Sequence, residues 1–276
     1  MSGPTLSRRS GVALGTLWWA ILVFLYAPLA VVVLFSFNDA KFSAEFLGFS
    51  LRWYRALWSN DVVLAAIRHS LILGLASASV GTILGTLLGY GLYRYRAAQL
   101  AWVSWIVYLP IVIPDIVFGI SEAVFFVFIK RNTGYLEAGL DTMCIAHITF
   151  ITPFVALVVY SRLVGLDRTV FEAVQDLYAS PMQRAWAFIL PVTWPAIVSG
   201  FFLGFTLSID DFVISFFTSG PSSATLPIFI YSSVKKGVSP EINAVASLLI
   251  AMVAVIAITS VVADRLRGRS RRGATT

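Results

Sequence analysis

Residues 14–37 read LGTLWWAILVFLYAPLAVVVLFSF, a stretch without a single charged side chain. A bilayer core of about 30 Å is crossed by about 20 apolar residues in a helix, so this stretch is long enough to span one. Working outward along the chain, predominantly apolar stretches recur at 67–93, 100–129, 143–163, 192–217 and 242–263. The reading is therefore an all-α integral membrane protein with six expected spans in one transmembrane domain, 14–263. The intervals leave no room for a soluble domain, and the polar–apolar alternation of a membrane β-barrel is absent.

Composition agrees. The 276 residues are 58% hydrophobic and 12% charged, against about 25% charged in soluble domains, and the mean hydropathy is +0.85. Arg8 and Arg9 precede the first stretch as in a signal peptide, but the stretch is too long for one and no small-x-small site ends it, so a retained signal anchor is expected. The single Cys144 falls inside an expected span and reads as a small packing residue.

The positive-inside rule sets the expected orientation. With residues 1–13 and the basic tail 264–276 both cytoplasmic, the inner side carries Arg8, Arg9, Arg94, Arg96, Arg162, Arg168, Arg184, Arg265, Arg267, Arg269, Arg271 and Arg272. The outer side carries fewer cations: Lys41, Arg52, Arg55, Arg68, Lys130, Arg131, Lys235 and Lys236. The net charge of +6 is thus a topology signal. An arginine tail that follows directly on a span does not call for a nucleic-acid partner.

Two spans carry internal punctuation. In the second, Gly74, Ala78, Gly81, Gly85 and Gly89 share one helical face, the spacing that lets another helix approach closely, within the bundle or from a second subunit. In the third, Pro110 and Pro114 predict a kink or an opened turn near mid-span.

The inner loop 164–191 reads as structured. Asp167 is placed to cap a short helix whose Val170, Phe171, Val174, Leu177 and Tyr178 form an apolar stripe, with Glu172, Gln175 and Asp176 elsewhere. Ser180, Pro181, Met182 and Gln183 make a capping-box pattern, so a second helix is expected from there to Leu190, stopping before Pro191. On physical grounds alone this is either a docking knob or an amphipathic hairpin on the lipid surface.

The run Glu172, Ala173, Val174, Gln175, Asp176, Leu177, Tyr178, Ala179, Ser180, Pro181, followed by Ile189, Leu190 and Pro191, resembles the EAA loop of binding-protein-dependent ABC importer permeases. Val174 stands where the third alanine is usual, and Tyr178 where that family has glycine. Further stretches, 35–38 with 52–54, 93–96, 114–117, 147–150, 160–163, 205–212, 219–221, 226–227 and 237–244, are similar in order and spacing to the second permease subunit of the spermidine/putrescine branch.

The resemblance implies a type I importer bundle in the bacterial cytoplasmic (inner) membrane. It also implies a sister permease, two ATPase subunits and an extracytoplasmic binding protein that delivers a polycation. ATP and Mg are expected on the ATPase and no cofactor on this chain, in which no G-x-x-x-x-G-K-[ST] phosphate loop occurs. By the same resemblance, Val170, Phe171, Glu172, Ala173, Val174, Asp176, Tyr178, Ser180, Pro181, Leu190 and Pro191 would couple to the ATPase.

An acid at a helix centre in lipid costs about 2.5–3.5 kcal/mol, so each one present is a functional candidate. Asp115 and Glu122 are seven residues apart on one face of the third span, roughly 10 Å at 1.5 Å per residue; Asp210 and Asp211 lie toward the outer end of the fifth. A row of carboxylates along a wet route suits a chain of ammonium groups met in turn. Tyr108, Phe118, Phe212 and Phe216 are placed to add cation–π contact or plain packing.

Asp210 and Asp211, being adjacent, cannot face the same way on a helix, so one is expected to cap a helix break or pair with a cation of the partner subunit. Glu122 departs from the apolar residue of related permeases, which opens either a different small solute or an interface ion pair. His147 reads as hydrogen-bonded packing and Arg162 as an inner-interface anchor. No metal-ligand spacing and no nucleophile–base pair stands out, so an enzyme reading is weak. An ion-coupled secondary transporter remains a different-class alternative, but no inverted repeat is visible.

Overall fold

The computed structural model describes residues 8–40, 45–95, 101–167, 169, 174, 177, 180–235, 237, 240–251, 253–255 and 259. Hydrocarbon offers the backbone no hydrogen-bond partner, so the chain satisfies its own amides in helices. Among the described residues the only β pairing is an isolated antiparallel bridge between Asn38 and Phe49.

The helices are α1 (Arg8–Phe35), α2 (Arg52–Trp58), α3 (Asp61–Arg94), α4 (Ala101–Val112), α5 (Asp115–Thr133), α6 (Leu140–Val164), α7 (Pro181–Arg184), a π-helical stretch Ala185–Ile189, α8 (Leu190–Ile209), α9 (Val213–Thr218) and α10 (Leu226–Lys235). Residues 240–251 are also helical. Among the described residues, Leu14–Phe35, Asp61–Arg94, Leu140–Val164 and Met182–Ile209 are long and apolar enough to cross a membrane; α4 and α5 make a fifth candidate if taken as one broken span.

That broken span bends by 111° between α4 and α5. Pro114 has no N–H for the carbonyl one turn back and disfavours helical geometry at Ile113, so the chain turns there. Helix α5 restarts at once, with the Val117 and Phe118 amides donating to the Pro114 carbonyl at 2.9 and 3.1 Å.

The chain divides into two compact units, Val62–Phe229 and Met1–Asp61 with Ile230–Thr276. In the first, α6 is the central helix, packed by α4, α5, α8 and α9. Its core holds Phe126, Ala146, Phe150, Ile151, Val155, Val159, Leu163 and Ile214. Because lipid is as apolar as leucine, contact between such helices is held by close packing, which small residues permit.

Two stripes of small residues grip α6. On α3, a Cβ at Gly85 would lie 2.6 Å from Val155 Cβ and 2.8 Å from the Thr152 carbonyl oxygen, and one at Gly89 would lie 2.5 Å from the Ala156 carbonyl oxygen. On α8, a Cβ at Gly204 would lie 2.6 Å from Ile151 Cγ2. The glycine face of the second span therefore serves contacts within the bundle, the first of the two uses its spacing allows.

In the other unit, the segment after α1 folds around Asn38, which is fully buried. Asn38 Nδ2 donates to the Glu45 carbonyl at 2.6 Å, and the Leu47 and Ala40 amides donate to its Oδ1 at 2.9 and 3.2 Å. Trp53 Nε1 donates to the Asn38 carbonyl at 2.9 Å, and Ser36 Oγ lies 2.7 Å from the Tyr54 hydroxyl, so the end of α1 and the start of α2 are tied together. Gly48 takes φ +144°, a conformation that side chains other than glycine's rarely adopt, and its carbonyl accepts from the Asp39 amide at 3.0 Å.

Candidate substrate route and coupling loop

The opened turn before Pro114 fixes where the first acid falls. Asp115 occupies the first turn of α5, where a negative side chain complements the helix macrodipole, and it is exposed. Glu122, two turns further along α5, is half-buried. Helix α5 is seated on α9 through Gly119, whose missing side chain leaves Cβ space only 3.2 Å from Ile214 Cα. Phe118 turns inward, its ring 5.7 Å from that of Phe150, while Tyr108 on α4 is 45% exposed.

Helix α8 ends at Ile209, well before the expected end of the fifth span, and α9 begins at Val213. The three residues between carry the other acids, and they go different ways. Asp210 is exposed, its amide donating to the Thr206 carbonyl at 3.3 Å as the last turn of α8 closes. Asp211 faces the bundle. The Ile214 amide donates to its Oδ1 at 3.3 Å and the Ser215 amide to its Oδ2 at 2.8 Å, the bonds of a helix cap.

Asp211 Oδ2 also stands 3.4 Å from His147 Nε2, and its side chain is only 8% exposed. The carboxylate of Asp211, expected on the route, is engaged by the start of α9 and stands beside His147. Adjacent residues point apart, so the cap takes one acid and leaves the other free to face outward. Phe212, the third residue of the break, is half-buried and its ring lies 5.3 Å from that of Phe216.

His147 is fully buried, as a hydrogen-bonded packing residue would be. Its Nδ1 lies 2.6 Å from Ser208 Oγ and its Nε2 3.0 Å from Ser215 Oγ, and Ser208 in turn lies 3.0 Å from Ser77 Oγ. One imidazole thus joins α3, α6, α8, α9 and the break. Sequence reasoning missed Ser77, Ser208 and Ser215, since no local pattern connects serines so far apart in the chain.

At the other end of α6 the loop 164–191 begins. The Thr169 amide donates to Asp167 Oδ1 at 3.0 Å, and the bonds from Thr169 hold the Asp167 carboxyl below its usual range. Of the expected apolar stripe, Val174 is buried within the chain, whereas Leu177 is 76% exposed. Val170, Phe171, Glu172, Ala173, Asp176 and Tyr178 lie outside the described residues.

The capping box is formed reciprocally: the Gln183 amide donates to Ser180 Oγ at 3.2 Å, and the Ser180 amide to Gln183 Oε1 at 3.3 Å. The helix that starts there does not stop at Pro191. It widens into a π turn, with the Leu190 amide donating to the Ala185 carbonyl, and Pro191 then sits in the first turn of α8. The wider turn shifts the register and so accommodates a proline that an unbroken α-helix would reject. Met182–Ile209 is consequently one apolar helix from the loop into the bundle. Arg162 Nε donates to the Val192 carbonyl at 3.2 Å, pinning the end of α6 to it.

The comparisons with known proteins agree with this arrangement. Residues 81–273 match the family model described as binding-protein-dependent transport system inner membrane component. The spermidine/putrescine transport system permease protein PotC of Escherichia coli K12 is 41% identical over 253 residues, 91% of this chain and 94% of the relative. The putrescine transport system permease protein PotI of the same organism is 39% identical over 246 residues, 86% of this chain and 88% of the relative.

Among solved structures, a bacterial ABC transporter involved in the import of the acidic polysaccharide alginate gives a TM-score of 0.68 at 13% identity, covering 95% of this chain and 99% of that one. An inward-facing form of the MetNI methionine ABC transporter gives 0.62 at 19% identity, covering 77% and 96%. Matched over most of its length by family model, relatives and fold alike, the chain belongs to the binding-protein-dependent transport system inner membrane components, as the permease subunit of an ABC importer.

Proposed function

We propose that this permease imports polyamines of the putrescine and spermidine type, handed over by an extracytoplasmic binding protein and driven by ATP, with Mg, on a separate pair of ATPase subunits. It works beside a sister permease, with six spans and both termini on the cytoplasmic side. The observation that carries the substrate reading is the placement of exposed Asp115 and Asp210 at the ends of two broken helices. Carboxylates set at such breaks can meet successive ammonium groups of a flexible polycation without gripping them all at once.

The kinship to PotC and PotI supports the same cargo. Glu122, half-buried on the same helix as Asp115, is the second position along the row. Asp211 holds the break open. On the cytoplasmic side, the EAA loop fits an ATPase cleft, and the continuous helix Met182–Ile209 carries its displacement into the bundle as a rigid lever.

The test is Asp115→Asn in the complete importer reconstituted in proteoliposomes. Spermidine uptake per ATP hydrolysed is expected to fall by about tenfold, the scale of a charged hydrogen bond. Unchanged uptake across spermidine concentrations would remove Asp115 from the route.

A further inference from the structure

We infer that His147 is a positioning residue for the acid row, acting through the break between α8 and α9 and touching no substrate itself. The inference rests on the polyamine route proposed above. A three-residue break in a bundle has many ways to fold, and only some leave Asp210 outward. What selects one is the set of contacts that ends on the imidazole.

Both ring nitrogens are used. Nδ1 takes the last turn of α8 through Ser208 at 2.6 Å; Nε2 takes the first turn of α9 through Ser215 at 3.0 Å and stands 3.4 Å from Asp211. The two helix ends that flank Asp210 are thereby referred to a single side chain on α6, the central helix. Ser77 on α3 completes the chain by lying 3.0 Å from Ser208. A buried network with its polar groups satisfied specifies one arrangement, and removing a member leaves the remainder unpaired.

The second acid depends on the same seat. Helix α5 rests on α9 where Gly119 faces Ile214 Cα, Val213 O and the Phe217 ring at Cβ distances of 3.2 to 3.4 Å. Gly119 lies four residues from Asp115 and three from Glu122. A shift of α9 therefore moves the acids of α5 as well as Asp210. Packing this close transmits small displacements, because the interface has no slack to absorb them.

Replacement of His147 separates positioning from bulk. Gln can reach the Nε2 position and keep the contacts to Ser215 and Asp211, whereas Leu fills the space and keeps none. In the reconstituted importer supplied with binding protein and radiolabelled spermidine, H147L is expected to lower uptake per ATP hydrolysed about tenfold or more, and H147Q to stay within about threefold of wild type. Hydrogen exchange at the Ile214 and Ser215 amides is expected to rise in H147L and hold in H147Q.

Ser208→Ala combined with D210N supplies a second route to the answer, should H147L fail to assemble. If the network acts through the break, the losses of the two single variants do not add in the double variant. Equal losses in H147Q and H147L, or additive losses in the S208A and D210N pair, would overturn the inference. So would wild-type transport by assembled H147L beside an impaired D210N, and that result would leave the route reading intact. Wild-type transport by D210N would instead remove Asp210 from the route, and this inference with it.

Discussion

Replacing Gly85 by Ala places a methyl group where none fits. The new Cβ would stand 2.6 Å from Val155 Cβ and 2.8 Å from the Thr152 carbonyl oxygen, and the second of these is backbone that cannot rotate away. Carbon contacts settle near 3.5–4.0 Å, so α3 and α6 must separate by roughly 1 Å. Overpacking of this kind costs about 1–3 kcal/mol.

Alanine also gains about 1 kcal/mol of helix propensity over glycine, which would blur the result if Gly85 were changed alone. Gly91, on the same helix, supplies the control, because a Cβ there meets nothing within 4 Å. The propensity gain is common to both substitutions and cancels in their difference. Gly85→Ala should therefore lie about 1–3 kcal/mol below Gly91→Ala, or about 2–12 °C in Tm for a chain of this size. Thermal unfolding of the detergent-purified importer, followed by the loss of the intact complex on size exclusion, measures it. Equal midpoints would refute the tight α3–α6 contact.

Asn38→Ala removes the side chain on which three backbone partners of the segment after α1 converge. At about 1–3 kcal/mol for each buried group left unpaired, the segment should open locally, read as faster proteolysis or hydrogen exchange over residues 45–54. Ser180→Ala removes the hydroxyl that caps the Gln183 amide. A loss of about 1 kcal/mol should fray the start of the helix Met182–Ile209 and, if that helix carries the coupling proposed above, lower the uptake obtained per ATP with the amount of assembled importer unchanged.

The membrane class was legible in the sequence because lipid leaves so few options: stretches such as 14–37 can be little else. The bend in the third span was equally plain, since Pro114 carries its own steric reason. The glycine spacing on α3 announced a close approach without saying to what, and only the fold supplied α6 as the partner. Pro191 misled, because the rule that proline stops a helix takes no account of a π turn that re-registers the backbone.

The division of labour between Asp210 and Asp211 was legible only in part. Their adjacency required them to diverge, but which one turned inward depended on a histidine 64 positions away in sequence from Asp211. The apolar stripe expected in the loop 164–191 likewise hid that Val174 is covered by its own chain while Leu177 is exposed. Periodicity identifies a face, and tertiary packing decides who covers it.

The most direct measurement is spermidine uptake by proteoliposomes containing this chain with its sister permease and ATPase, the binding protein being supplied outside. Uptake is expected to require ATP hydrolysis, to stop when the ATPase is inactivated, and to be indifferent to an imposed proton gradient. Uptake that proceeds without the ATPase and follows the gradient would contradict the account.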